Sequence, residues 1–198
     1  MPPGIRVTRG EILKTAFEIV RKDGLQALSA RRLAVELNCS VKPIYREYKS
    51  MKELEDEVVM KARQFGMDFI SNTHDVEHPF LNMEMGYLNF SREERQLFEI
   101  FSMFGEGIIG QKDGKQLPDA EKQIEAMKGL PDFDGLSDAQ LKRILMDMTI
   151  YIHGIAVMIG SDFSGDRKES IPNIVDRMLK TLIEWERNKE TESFGGGR

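Results

Sequence analysis

The chain has 198 residues, with 28 Lys and Arg against 33 Asp and Glu, 40% hydrophobic residues and one cysteine. That length buries a sizeable core in one domain or two small ones, and the lone Cys39 excludes an intramolecular disulfide framework and fits a reducing, cytoplasmic setting. No run is long and apolar enough for a membrane helix, and no signal-peptide pattern opens the chain.

Pro2, Pro3 and Gly4 keep the first residues out of a helix, leaving Arg6 and Arg9 to reach a phosphate or simply to solubilise the segment. Thr8 and Glu11 have capping-box spacing, so a helix begins there. Ile12, Leu13, Ala16, Phe17, Ile19 and Val20 form its apolar stripe, and Gly24 ends it. Ser29 caps a second helix whose apolar face is Leu33, Ala34 and Leu37. Asn38 tolerates the left-handed conformation that stops it. Ser40 is placed to cap a third helix reaching Tyr48, with Pro43 in its first turn. Two short helices joined by so tight a turn are a helix-turn-helix pattern, whose second helix can enter a major groove. Cys39, in the turn, reads as a small buried hydrophobe rather than a redox sensor.

The charge is divided along the chain. Residues 1–52 hold 11 Lys and Arg against 5 Asp and Glu, a balance of +6, and residues 53–198 carry −11. A basic head on an acidic body suits local phosphate contact. Ser50 and Glu53 mark the start of a long fourth helix over about 51–70, carrying Leu54, Val58, Phe65 and Phe69.

The remainder reads as helices between polar loops. His74 and His78 lie beside Asp75 and Glu77, but Pro79 and the polar run make this a solvated loop rather than a metal site. A short helix covers 80–90, and Ser91 with Glu94 suggests a new helix through about 104. The glycines at 105, 107 and 110 have no phosphate-loop pattern. A short helix follows around 124–127, a long one starts at Ser137, and a last one covers 171–188. Beyond Lys189 the composition predicts a disordered tail. No nucleophile–base–orienter set or metal cluster emerges, so no catalytic residue, metal or cofactor is expected.

Residues 8–58 resemble the DNA-binding domain of the tetracycline-repressor (TetR) family. The matching positions are Ile12, Leu13, Ala16, Phe17, Gly24, Ser29, Leu33, Ala34, Cys39-Ser40, Ile44-Tyr45, Tyr48 and Lys52-Glu53-Leu54. Three departures stand out: Asn38 for a usual glycine, Arg32 for a common acidic residue, and Pro43 in the recognition helix. The resemblance implies an all-α protein, with a three-helix DNA-binding domain over 1–52 and a helical ligand-binding and dimerisation domain over 53–189. A tail over 190–198 follows. It implies a cytoplasmic homodimer on a palindromic DNA operator, most simply a repressor released by a small-molecule effector. A constitutive DNA binder or a helical interaction protein is the alternative.

In that setting Val41, Lys42 and Pro43 face bases, with Lys42 able to donate to guanine. Arg6, Arg9, Ser29, Arg31, Ser40, Tyr45, Arg46 and Lys52 are candidates for the DNA backbone, whereas Ile44 and Tyr48 read as core. The resemblance implies that Lys52 contacts phosphate, which would explain a lysine against the helix dipole. The candidate effector wall is Phe65, Phe69, Met83, Tyr87, Phe98, Phe101, Met127 and Met148. His153 is either a ligand contact, an interface residue or a satisfied structural histidine. The acidic surroundings favour a neutral or cationic, apolar or amphipathic compound.

Overall fold

Capping chemistry sets the N-terminal helices. The computed structural model describes residues 7–72, 79–103, 120–159 and 170–195, and every regular element among them is helical. Helix α1 (Arg9–Asp23) starts at a full capping box: Thr8 accepts from the Glu11 N–H, and the Glu11 carboxylate accepts from the Thr8 N–H. Gly24 ends it at φ 85°, leading into a single 3-10 turn, Leu25–Ala27. Helix α2 (Ala30–Glu36) starts where Ser29 accepts from the Arg32 N–H. The chain then reverses at Asn38, whose φ of 49° is the left-handed conformation expected of it. Helix α3 (Lys42–Glu47) begins after Val41 and has Pro43 in its first turn. Ser40, expected to cap this helix, stands one residue too early, because Val41 is the N-cap and makes no side-chain cap bond.

Helix α4 (Met51–Ser71) leads out of this N-terminal cluster. Then come α5 (Pro79–Glu93), α6 (Arg95–Met103), α7 (Ala120–Lys128), α8 (Asp138–Ile159) and α9 (Ile171–Gly195). They pack as two units: Met1–Phe69 with Glu94–Phe104, and Ile70–Glu93 with Gly105–Arg198. In the first unit, Ile12, Phe17, Val20, Leu33, Ile44, Tyr48, Leu54, Val58 and Leu97 are buried together. Full burial of a large apolar side chain stabilises by roughly 1.5–3 kcal/mol. Helix α6 lies against α1, where Arg21 donates from both Nε and Nη2 to the Glu94 carboxylate. In the second unit α8 packs on α5, α7 and α9, burying Leu141, Ile144, Leu145, Met148, Ile152 and Ala156. Phe80 meets Phe133 edge-on at 5.3 Å between ring centroids.

Two boundaries differ from the sequence reading. Ser91 does not start a helix: α5 runs through it to Glu93. Its hydroxyl is buried and donates to the Leu88 carbonyl at 2.8 Å, the back-bonding that lets serine stay inside a helix. Helix α9 continues to Gly195 instead of ending near 188, so the segment 190–195 is helical rather than a disordered tail. No glycine or proline interrupts the chain between Trp185 and Gly195, so polarity alone does not end the helix.

Candidate functional site

The turn between α2 and α3 divides side chains cleanly. Ile44 is fully buried and Tyr48 nearly so, in keeping with a core role for both. Arg31, Ser40, Val41, Lys42, Tyr45 and Arg46 are exposed, and Pro43 is half-buried. Tyr45 keeps 51% of its surface. The outer side of this motif therefore offers cationic groups, hydroxyls and small apolar groups together, the mixture that reads phosphates and base edges. Val35, exposed on α2, was not singled out from sequence, since its apolar character suggests core. Cys39, expected to be buried, is half-buried.

Several cations in this region have protein partners. Arg9 donates from Nη2 to Glu57 at 2.7 Å, from Nη1 and Nη2 to Glu53, and from Nη1 to the Glu47 carbonyl. Its guanidinium lies 4.1 Å from the Tyr48 ring centroid. Arg9 thus ties α1 to the end of α3 and the first turns of α4. The Lys49 N–H and then the Arg9 guanidinium hold the Glu53 carboxyl below its usual range. Burial pushes the Tyr48 hydroxyl up to about 12. Arg46 donates to the Val7 carbonyl at 3.2 Å and to Glu47 at 3.1 Å. Lys52 pairs with Asp56 one turn along at 2.8 Å, while its side chain remains 75% exposed. Ser29 is engaged as a cap. Arg6 lies outside the described residues, as do His74, Asp75, Glu77 and His78.

The candidate effector residues fall into two groups. Phe65, Phe69, Phe98 and Phe101 belong to the first unit, and Met83, Tyr87, Met127, Met148 and His153 to the second. In the first, Phe65 and Phe69 stand 6.3 Å apart and Phe65 reaches Phe17 at 5.7 Å. In the second, Met127 and Met148 are buried and Met83 is exposed. Tyr87 on α5 and His153 on α8 share a hydrogen bond of 2.9 Å between Oη and Nδ1. Burial raises the Tyr87 pKa.

One turn before Tyr87 lies a residue the sequence reading passed over. Glu84 has an Oε2 closed off from solvent and without a hydrogen-bond partner. Burial pushes its carboxyl up to about 8, opposed only by its own backbone N–H. Its signal in the sequence is one carboxylate inside the otherwise apolar run 83-MEMGYL-88. Half-buried Glu84 contrasts with Glu186 on α9, which is buried and matched. Arg143 on α8 donates to it at 2.7 and 2.6 Å and holds its pKa below the usual range.

Helices α8 and α9 also expose apolar side chains. Met146, Ile150 and Val157 recur along α8 at helical spacing, and Trp185 on α9 is 51% exposed. Among the described residues no group of three or more His, Cys, Asp or Glu stands where it can hold a metal ion. Among them, too, no helix is long and apolar enough to cross a membrane.

No family model matches the chain. No curated protein matches it either. Solved structures do. The fold is similar to that of TetR from Acinetobacter baumannii AYE, with 16% sequence identity and a TM-score of 0.53; the match covers 92% of this chain and 97% of that one. It is likewise similar to TetR-Q116A from the same organism in complex with minocycline, with 12% identity, a TM-score of 0.51 and the same coverage. The likeness is one of fold, and it runs through both units.

Proposed function

We propose that the chain is a dimeric, sequence-specific DNA-binding transcription regulator, a repressor that a small apolar or amphipathic effector releases from a palindromic operator. The observation that carries this reading is the outer face of α2 and α3. There Arg31, Lys42, Tyr45 and Arg46 are exposed while Ile44 and Tyr48 anchor the same segment in the core. The fold similar to TetR and the +6 balance of residues 1–52 support it. Lys42, Val41 and Pro43 read bases; Arg31, Ser40, Tyr45, Arg46 and Lys52 position the backbone, Lys52 by exchanging Asp56 for a phosphate. Ser29 and Arg9 serve the interface by fixing α2 and α3, through the cap and through the Glu53–Glu57 network.

Two-fold symmetry follows from the need to bury apolar surface. The α8 stripe of Met146, Ile150 and Val157, with Trp185 on α9, is the surface a second copy covers. A palindromic operator would match that symmetry. The effector reading draws on the minocycline complex of TetR-Q116A and on the polar groups inside the second unit. Among the described residues no catalytic constellation supports an enzyme reading.

Fluorescence anisotropy with DNA from upstream of the chain's own gene tests the reading. Lys42→Ala should relax base preference, while Lys52→Ala should weaken all sequences alike and reduce the salt slope by about 1. Identical losses with unchanged preference would contradict these roles, and no binding at low salt would remove the function. Sedimentation at micromolar concentration should show twice the 22.7 kDa chain mass; a monomer both free and on DNA would refute the dimer.

A further inference from the structure

We infer that the second unit binds an apolar organic amine, whose ammonium group donates to Glu84 Oε2 beside the Tyr87–His153 pair. This rests on the effector reading above and names the chemical class of the compound.

Buried polar atoms in folded proteins almost always have partners, and an exception calls for a reason. Glu84 is such an exception, and once it is ionised its partner must be a donor, since a carboxylate only accepts. Residues three apart on a helix are surface neighbours, with Cβ atoms roughly 5–6 Å apart, so Glu84 and Tyr87 share one side of α5. Tyr87 in turn bonds His153 on α8. Glu84 and the Tyr87–His153 pair thus lie toward one side of α5, a helix that packs against α7, α8 and α9.

Among the described side chains no cation supplies the missing charge. On α8, His153 is engaged with Tyr87, Arg143 is committed to Glu186, and Lys142 and Asp147 are exposed. On α7, Glu121 and Glu125 are exposed, and Lys128 pairs with Asp138. On α9, Lys180 pairs with Asp176, and Arg177, Glu184, Arg187 and Lys189 are exposed. Burial lifts the Glu84 pKa, and its own backbone N–H opposes the rise. A cation from outside would complete the site, whereas an anion would meet a carboxylate with nothing to offset it. The helices packed on α5 carry adaptable side chains, buried Met127 on α7 and Met148 on α8, whose thioethers repack at little cost.

Proton balance gives the inference a signature. Empty, Glu84 holds its proton until about pH 8. Binding an ammonium expels that proton to solvent while the amine keeps its own. Amine affinity must therefore rise with pH toward about 8 and level off above it.

The test is calorimetry of the full chain, without DNA, against octylamine, octanol and octanoate, which share one apolar length and differ in charge. Octylamine should bind tightest. Its affinity should rise about 20-fold between roughly pH 6.5 and 8.5, with about one proton released per amine at the lower pH. Glu84→Gln should abolish both the preference and the rise. If that variant fails to fold, proton release by the unaltered chain in two buffers of different ionisation enthalpy decides the matter. Equal binding of all three compounds, no saturable octylamine binding, no proton release, or a preference that survives Glu84→Gln would each overturn the inference. Failure of the regulator reading looks different. A chain that binds octylamine with this signature but no DNA keeps the site and loses the regulator; one that binds DNA but no amine does the reverse.

Discussion

Helices α9 and α5 each hold a carboxylate oxygen away from solvent, and treat it in opposite ways. At the first, Glu186 is 2% exposed and takes two hydrogen bonds from Arg143, while the buried Gln140 donates to the Glu186 carbonyl at 2.8 Å. At the second, Glu84 has no cation among the described side chains, and its Oε2 has no hydrogen-bond partner. The same functional group is therefore driven below its usual range in one place and well above it in the other. A matched carboxylate fixes how two helices pack. An unmatched one leaves a helix pair less stable than an apolar core would make it, and ready to be completed from outside. On this comparison the α8–α9 contact is closed by its own ion pair, and Glu84 on α5 is left with an unfilled acceptor.

The sharpest way to break the comparison is to make Glu186 resemble Glu84. Arg143→Met should destabilise the chain by about 2–3 kcal/mol in urea unfolding near neutral pH. That is below the full cost of splitting a buried pair, because the Arg143 side chain is itself 48% exposed. The pH dependence has a definite sign. Glu186 has a folded pKa below its ordinary 4.5, so its stabilisation is present above 4.5 and disappears as pH falls through the lower folded value. The unaltered chain should lose stability in that acid range, and Arg143→Met should lose much less there. Equal acid sensitivity in both would show that the pair is not what keeps Glu186 ionised.

The converse change should help folding. The raised pKa of Glu84 favours the folded state only below about 4.5; that advantage is lost as pH climbs, and the loss is complete above about 8. Glu84→Met keeps the volume and removes the carboxyl, and should stabilise the chain by about 2 kcal/mol at neutral pH. The gain should grow between about pH 5 and 8 and then hold. A loss of stability at every pH would mean that Glu84 has a partner after all.

Much of this molecule is legible in its residues, and the parts that are not share a cause. Thr8 with Glu11, Gly24, Ser29 and Asn38 fix the N-terminal helices by short-range chemistry, and each acts as its residue type requires. Ile44 and Tyr48 are buried where period and resemblance place them, and the described residues of the wider candidate interface are exposed except for Pro43. Ser91 misleads because a serine hydroxyl bonds a helix carbonyl as readily as it caps, and only the tertiary setting chooses between the two. Glu84 escaped notice because helical period records where charges fall and not whether a buried one finds its counter-charge. That depends on Arg143 and Lys128 being spoken for by Glu186 and Asp138, residues 43 and 10 positions away. Arg9 is similar: its partners at Glu53 and Glu57 come from a helix more than 40 positions later.

The smallest expected effect separates Glu84 from the Tyr87–His153 pair. Tyr87→Phe removes one hydroxyl and leaves the ring, so it forfeits the 2.9 Å bond to His153 and leaves that ring nitrogen without its tyrosine partner. A hydrogen bond of this kind contributes about 1 kcal/mol net, and the variant should lose about that much in urea unfolding. The Glu84 carboxyl is raised by its own burial and owes nothing to the tyrosine hydroxyl. The stability of Tyr87→Phe should therefore fall between about pH 5 and 8 with the same slope as that of the unaltered chain, on a curve displaced downward by a constant amount. Parallel curves would establish that the carboxyl and the Tyr87–His153 pair are energetically independent in the empty protein, two separate polar groups that only a ligand brings into one site. Converging curves would mean that they already form one coupled network, and the contrast between the two carboxylates would then be one of degree.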